Sequence, residues 1–104
     1  MKNYYYKRFK AQIKILEKID TKKLFKLEQI ILDTSSKDGK IIIVGNGGSA
    51  ATASHVAVDL SLNSKIKAIN FNESDLITCF SNDFGYENWV KKSLEIYADP
   101  LDLL

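Results

Sequence analysis

Apolar residues in the first third of the chain recur at helical spacing. The first set is spaced four, four and three residues apart: Tyr5, Phe9, Ile13 and Leu16. After the turn IDTKK, in which Asp20 or Thr21 is placed to cap a helix, a second set follows: Leu24, Leu27 and Ile31. Each set covers one face of a helix, and lysines occupy the other face. The pattern predicts a hairpin of two amphipathic helices over residues 1–36, whose apolar faces need a partner.

From residue 41 the apolar positions become continuous. The run IIIV at 41–44 is β-branched throughout, which is typical of a strand buried in a parallel sheet, and KIKAINF at 65–71 is a second strand candidate. Helical segments follow both strands: SAATASHVAVDL at 49–60, SDLITCFSN beginning at Ser74, which is placed to cap it, and YENWVKKSLEIYAD before Pro100. Strands alternating with helices predict an α/β fold with a parallel sheet.

The C-terminal run DPLDLL begins an apolar segment directly after a helix-breaking proline, and it predicts the start of a third strand. A parallel sheet of two strands buries too little apolar surface to be stable alone. We therefore expect residues 1–104 to form one partial domain, the N-terminal part of a larger fold. The hairpin occupies residues 1–36, and a strand–helix–strand–helix–helix segment with the start of the third strand occupies residues 40–104.

Positive charge is concentrated at the N-terminal end. The net charge is only +2, yet residues 1–26 contain nine lysine or arginine residues against Glu17 and Asp20. Basic segments of this kind occur in nucleic-acid-binding proteins. They also form the solvated face of ordinary amphipathic helices. We favour the solvated face, and predict no nucleic-acid partner, because no recognition helix accompanies the lysines.

Cysteine content and hydropathy indicate a reducing, aqueous compartment. Cys79 has no second cysteine to pair with and lies in the apolar run LITCF, so we expect a buried, inert thiol. The start MKNYYYKRFK lacks the apolar stretch of a secretory signal, and no apolar run approaches the roughly 20 residues that span a bilayer. We predict a cytoplasmic protein with no membrane partner.

The segment GNGGS joins the first predicted strand to a helix and has the composition of an anion site. Glycines allow a sharp turn and remove the side chains that would keep a ligand away. The helix N-terminus adds free N–H groups and a partial positive charge. Asn46 supplies an amide and Ser49 a hydroxyl. A tight turn without any ligand is the alternative, and we favour the site.

Two larger phosphate-bearing ligands fit this turn less well than a small one. Gly45, Gly47 and Ala50 satisfy the pattern G-x-G-x-x-A of dinucleotide-binding proteins. The acid that would hold the ribose is missing, because Asn70 and Asn72 stand at the end of the second strand. A P-loop also requires a Gly-Lys-Ser/Thr sequence that the chain lacks. A smaller phosphorylated ligand is favoured.

Two polar pairs follow the glycine turn along the chain. His55 and Asp59 are four residues apart on the predicted helix, where they can share a metal ion or a proton, or form a simple surface pair. Asn82 and Asp83 precede Gly85, either as part of a helix C-cap or as polar groups presented to the same cleft.

The segment GNGGSAATASHVAVDL, followed further along by CFSNDFGYE, resembles the sugar isomerase (SIS) domain family, and within it the phosphoheptose isomerases. The resemblance implies a three-layer αβα fold with a parallel sheet, preceded by a helical hairpin. It implies the interconversion of ketose and aldose phosphates through an enediol, with a phosphorylated heptose such as sedoheptulose 7-phosphate as substrate. It also implies a homo-oligomer, typically a tetramer, with the N-terminal helices in the assembly.

The resemblance assigns roles to individual residues. The substrate-binding positions are Asn46, Gly47 and Gly48, with Ser49 adjoining them, together with Asn82 and Asp83. His55 corresponds to a zinc ligand. Asp59 stands where the isomerases have a glutamate that binds metal and substrate and acts as the acid–base catalyst.

The sequence departs from the isomerase pattern in two respects. Asp59 is one methylene shorter than the glutamate it replaces, which shifts a group whose position matters for proton transfer. The Ser/Thr-rich phosphate loop, the later glutamine and the catalytic histidine of the family have no counterpart among residues 1–104, in which His55 is the only histidine. We therefore expect no isomerase activity from this chain alone. A phosphosugar sensor without catalysis and an oligomerisation module remain as alternatives.

Overall fold

The computed structural model describes residues 2–104. Two helices precede an alternation of short strands and helices: α1 (Lys2–Leu16), α2 (Thr21–Ser36), β1 (Ile41–Ile42), α3 (Gly48–Leu62), β2 (Ala68–Ile69), α4 (Ser74–Phe84), a 3₁₀ helix (Tyr86–Asn88) and α5 (Trp89–Tyr97). Within the described residues, no helix is both long and apolar enough to cross a bilayer.

The strands form a parallel sheet with β1 at its centre. Ile41 pairs with Ala68 and Ile42 with Ile69, so β2 lies on one side of β1. On the other side Ile41 forms a parallel bridge with Leu103, whose carbonyl oxygen accepts the N–H of Ile42 at 2.8 Å. The parallel pairing and the helical N-terminal region confirm the predicted α/β class. Regular pairing spans only two residues in each strand, which is shorter than the apolar runs suggested.

The helices pack onto this sheet in two ways, α4 and α5 through large side chains and α3 through small ones. Ile42, Phe71 and Trp89 form the buried centre of the core, and α4 and α5 add partly buried side chains: Leu76, Ile77, Phe80, Val90 and Leu94. Helix α3 approaches β2 through small residues, since Ala53 and Ala57 are buried. Ala50, Ala53 and Ala57 recur three and four residues apart in the sequence, and this alanine spacing marks the packed side of α3.

Two local expectations were wrong for identifiable reasons. Glu73, not Ser74, caps α4, because its longer carboxylate accepts hydrogen bonds from two N–H groups of the first turn at 2.9 and 3.1 Å. Cys79 is exposed, because α4 directs its neighbours Ile77 and Phe80 to the core and leaves the thiol on the flank, where Sγ lies 3.7 Å from an Asp83 oxygen. At the start of α2, Asp20 is the cap.

The helical hairpin leaves its apolar faces uncovered. Residues 3–16 of α1 are all exposed, and Phe9 retains 61% of its accessible surface. Helix α2 contacts β1 near its C-terminal end, where Thr34 is buried. An open apolar groove of about 460 Å³ lies beside α2, and its lining includes Leu27, Ile31, Ile41, Val56 and Leu103. Residues 2–104 therefore do not supply the partner that the hairpin needs.

A hydrogen bond to Asp102 joins the C-terminal segment to the residue before β1. The Asp102 carboxylate accepts the Lys40 N–H at 2.9 Å and the Asp99 N–H at 2.7 Å, and its side chain is only 5% exposed. Burial by itself raises the pKa of Asp102, but the Asp99 and Lys40 hydrogen bonds outweigh burial, so the pKa lies below its usual value. Gly39 is required here because a Cβ atom would overlap the Leu101 carbonyl oxygen.

Candidate functional site

The glycine turn is shaped by two glycines with different tasks. A Cβ atom at Gly45 would overlap the Ser49 carbonyl group, so only glycine lets the end of β1 pack directly against the first turn of α3. Gly47 has a φ of +56°, a conformation that side-chain-bearing residues rarely adopt. Together they bring the chain sharply from β1 into α3.

The surface of this turn is open to a ligand. Residues 46–49 are exposed. Apart from the adjoining backbone of the turn and of α3, no atom lies within 4 Å of the place where a Cβ atom of Gly47 or Gly48 would stand. Among the described residues, the N–H groups of these two glycines donate no hydrogen bond, and no side chain caps α3. The start of α3 thus offers free donors together with the positive end of the helix dipole, which suits an oxyanion.

A tyrosine that the sequence interpretation overlooked contacts the glycine turn. The hydroxyl of Tyr86 donates a hydrogen bond of 2.9 Å to Oδ1 of Asn46, although the two residues are 40 positions apart. Tyr86 begins the 3₁₀ helix that follows Gly85. This bond joins the loop after α4 to the turn after β1. The only sequence signal for it is that both segments follow neighbouring strands of the predicted parallel sheet.

Asn82 and Asp83 lie in the last turn of α4, and both are exposed. Asn82 donates its side-chain amide to Asp83 Oδ1 at 3.1 Å. The N–H of Gly85 donates to the Ser81 carbonyl oxygen at 3.0 Å, so this segment is a helix C-cap. No hydrogen bond between described residues joins Asn82 or Asp83 directly to the glycine turn, and Tyr86 makes the connection instead.

His55 and Asp59 form a pair on the surface of α3. Nε2 of His55 lies 3.3 Å from Oδ2 of Asp59, and the two side chains are 77% and 52% exposed. The amide of Asn63 donates to the other Asp59 oxygen at 3.3 Å. An exposed pair of this kind stabilises the helix by only a few tenths of a kcal/mol, which leaves both groups available for chemistry.

The same separation fits two ligands of one zinc ion. Tetrahedral zinc holds nitrogen and oxygen ligands at about 2.0–2.2 Å, which places two such atoms roughly 3.3 Å apart. The described part of the chain contains no group of three or more His, Cys, Asp or Glu side chains placed to hold a metal. His55 and Asp59 therefore fit as two ligands of a zinc site, and further ligands would have to come from elsewhere.

Asn72 is a second residue that the sequence interpretation did not place in the site. Its amide nitrogen donates to the Ala50 carbonyl oxygen at 2.7 Å and to the Ser54 hydroxyl at 2.9 Å. These bonds tie the segment after β2 to the first turns of α3, directly before His55. Its Oδ1 atom is buried without a partner among the described residues. Asn72 was considered only as a replacement for a ribose-binding acid, whereas it serves to position α3.

Known proteins are similar to this chain in sequence and in fold. The family described as SIS domain matches residues 4–97. The phosphoheptose isomerase of Helicobacter pylori strain P12 is 33% identical over 81 residues, which cover 72% of this chain and 42% of that protein. The phosphoheptose isomerase of Akkermansia muciniphila is 35% identical over 82 residues, which cover 73% of this chain and 43% of that protein.

A solved structure extends the comparison to the fold. Phosphoheptose isomerase GmhA from Neisseria gonorrhoeae superimposes with a TM-score of 0.83 at 26% identity, covering 96% of this chain and 54% of that one. The present chain thus spans about half the length of the relatives that it matches. The family match includes the helical hairpin, the glycine turn, the helix of His55 and the loop after α4. The chain belongs to the SIS domain family.

Proposed function

We propose that this chain supplies the first half of a phosphosugar site in an isomerase that interconverts ketose and aldose heptose phosphates. The observation that carries the proposal is the exposed, uncapped glycine turn, with His55 and Asp59 on the helix that leaves it. Support comes from the phosphoheptose isomerases that the chain resembles. Sedoheptulose 7-phosphate is the proposed ketose.

The start of α3 supplies the first set of groups that contact the substrate. The free N–H groups of Gly47 and Gly48 and the positive end of the helix dipole favour an oxyanion of the substrate. The Asn46 amide and the Ser49 hydroxyl add hydrogen-bond partners for sugar oxygens. Donors fixed in this way also stabilise the negative charge that develops on the carbonyl oxygen as an enediol forms.

Asp59 is the proposed acid–base group on this half of the site. Its carboxylate removes the proton from the carbon beside the carbonyl and returns it to the former carbonyl carbon, while the hydroxyl and carbonyl oxygens exchange roles through the enediol. His55 and Asn63 hold the carboxylate from its two oxygens. A zinc ion bound by His55, Asp59 and ligands from elsewhere would polarise the carbonyl.

We further propose that the protein is a homo-oligomer, with the tetramer that the family resemblance implies as its assembly. The support is the apolar surface of the hairpin: Phe9, Ile13, Leu24 and Leu27 each keep half or more of their surface exposed. A second subunit would cover these side chains. Sedimentation equilibrium tests the proposal, since Phe9→Glu should shift the molecular mass toward the monomer, and a chain that is monomeric without the substitution would contradict it.

A phosphosugar sensor is the second candidate, and the short Asp59 side chain favours it. The same donors would bind the ligand, while the carboxylate would stand too far back for proton transfer. A coupled assay with sedoheptulose 7-phosphate and zinc, on a protein that contains a whole SIS domain beginning with this sequence, separates the candidates. Turnover supports the isomerase, and binding without turnover supports the sensor.

The binding proposal is tested by titration calorimetry with sedoheptulose 7-phosphate, on the same whole-domain protein that the coupled assay uses. We expect saturable heat that Asn46→Ala reduces. Asn3→Ala, at an exposed position of α1, is the matched control and should bind like the unmodified chain. Absence of saturable heat from the unmodified chain would refute the proposed ligand.

A cytoplasmic location stays a prediction from the sequence.

A further inference from the structure

The bond between Tyr86 and Asn46 fixes which end of the asparagine amide faces its protein partner. The Tyr86 hydroxyl donates to Oδ1 of Asn46 at 2.9 Å. Among the described residues, no hydrogen bond involves Nδ2 of Asn46, so both of its N–H donors remain available. An amide held through its oxygen in this way presents itself to a ligand as a donor.

Local hydrogen bonds and the nearby core hold the segment that carries Tyr86 in place. Gly85 has a φ of +88°, which starts the 3₁₀ turn, and the N–H of Asn88 donates to the Gly85 carbonyl oxygen at 3.0 Å. The side chain of Asn88 donates to the Phe84 carbonyl oxygen at 2.9 Å. Trp89, the next residue along the chain, is buried in the core. The tyrosine is therefore placed by the core and by local hydrogen bonds, while its own side chain is half exposed.

We propose that Tyr86 is a positioning residue, which holds Asn46 as a hydrogen-bond donor toward an acceptor oxygen of the bound sugar phosphate. The inference rests on the proposed function, in which Asn46 contacts the sugar. Without the tyrosine hydroxyl, the exposed asparagine side chain samples other rotamers and its amide orientation is no longer fixed, so ordering it becomes a cost of binding. Tyr86 therefore raises the affinity for the sugar phosphate only through Asn46.

Tyr86→Phe tests the proposal because it removes one oxygen atom and leaves the ring. In titrations of the whole-domain protein with sedoheptulose 7-phosphate, we expect the dissociation constant to rise roughly 3- to 10-fold, the range of a typical net hydrogen bond. The matched control is Tyr97→Phe, since Tyr97 is also about half exposed and its ring packs against Phe71. This control should bind like the unmodified chain.

A double-mutant cycle separates positioning from a merely structural role. In the Asn46→Ala background, Tyr86→Phe should produce no additional loss of affinity, because the group that it positions is gone. Thermal unfolding of Tyr86→Phe should match that of the unmodified chain, since the bond lies at the surface. The ¹⁵N resonances of the Asn46 side-chain amide should shift in Tyr86→Phe and stay in place in Tyr97→Phe.

The outcomes are distinguishable. Equal affinities of the unmodified and Tyr86→Phe chains would overturn the inference and leave the proposed function intact. Additive losses in the double mutant would also overturn it, because they would show that Tyr86 acts independently of Asn46. If the unmodified chain fails to bind sedoheptulose 7-phosphate, the proposed function fails, and the inference fails with it.

Discussion

The Asp102 carboxylate accepts the backbone N–H of Lys40 at 2.9 Å and forms an ion pair with the ammonium group of the same residue at 2.5 Å. The two residues are 62 positions apart, so this contact joins the segment after α5 to the start of β1. It holds Leu103 in register beside Ile41, where the bridge that extends the sheet begins.

Asp102→Asn should lower the melting temperature by about 4–8 °C. The substitution removes a nearly buried charge whose partners then lose an acceptor. Asp99→Asn is the matched control, because Asp99 also contacts the Lys40 ammonium group, at 2.7 Å, but its side chain is 76% exposed. The control should shift the melting temperature little, as exposed ion pairs contribute little. Equal shifts for the two variants in thermal unfolding followed by circular dichroism would contradict this account.

Stability should fall in acid because the pKa of Asp102 lies below its usual value in the folded chain. Above the unfolded pKa, about 3.9, the contribution of the carboxylate is fully present, and it is lost as the pH falls through the folded pKa. The Lys40 hydrogen bonds to Asp102 and Asp99 raise the pKa of Lys40, so its contribution is lost only as the pH rises above 10.5.

The expected result is a melting temperature that is nearly flat between about pH 5 and 9 and falls below about pH 4. Asp102→Asn should show a smaller decline in acid than the unmodified chain. The ion pair of Lys92 lowers the pKa of Glu95 in both chains, so it does not distinguish them. An identical acid dependence of the two chains would show that Asp102 does not carry the effect.

Two glycines of the turn should respond oppositely to alanine. Gly45→Ala should destabilise the chain by about 1–3 kcal/mol, because its Cβ atom would overlap the backbone of α3 at Ser49. Gly48→Ala should be neutral or stabilising by up to about 1 kcal/mol, since Gly48 is helical and open space surrounds it. Urea unfolding monitored by Trp89 fluorescence measures both, and a strongly destabilised Gly48→Ala chain would contradict the geometry.

Asn72→Ala should destabilise the chain by about 1–3 kcal/mol, because it leaves the Ala50 carbonyl and the Ser54 hydroxyl without their shared donor. Asn63→Ala is a suitable control for stability, as Asn63 is exposed and its side chain makes only a long hydrogen bond to Asp59. The same urea experiment compares them. If both substitutions cost less than about 0.5 kcal/mol, Asn72 does not hold α3 in place.

The periodic features of the sequence predicted most of the architecture. The β-branched run at 41–44 and the alanine spacing of α3 each reflect a single packed surface, so a local pattern was sufficient to find them. Asp20 was recognisable as a possible cap because helix capping also depends on a few neighbouring residues. Glu73 was not predicted as the cap of α4 because glutamate is not among the preferred N-cap residues. In the structure its long side chain nevertheless reaches the N–H groups of Asp75 and Leu76.

Contacts between distant segments could not be read in the same way. Tyr86 and Asn46 meet because the fold brings the loop after α4 next to the turn that follows β1. The sequence showed only that Asn72 stands where a dinucleotide site would need an acid, and the structure shows its amide bonded to α3. His55 and Asp59 were predicted to share a helix face, and the structure places their side chains 3.3 Å apart.

Binding of a phosphosugar at the glycine turn can be followed at individual residues by amide NMR of the ¹⁵N-labelled protein. On titration with sedoheptulose 7-phosphate, the N–H resonances of Gly47, Gly48 and Ser49 should shift in a saturable manner. The buried Gly39, at the far end of β1, provides an internal reference whose resonance should not move. Resonances of the turn that remain unchanged in a large excess of the sugar phosphate, or shifts confined to other segments, would contradict the account.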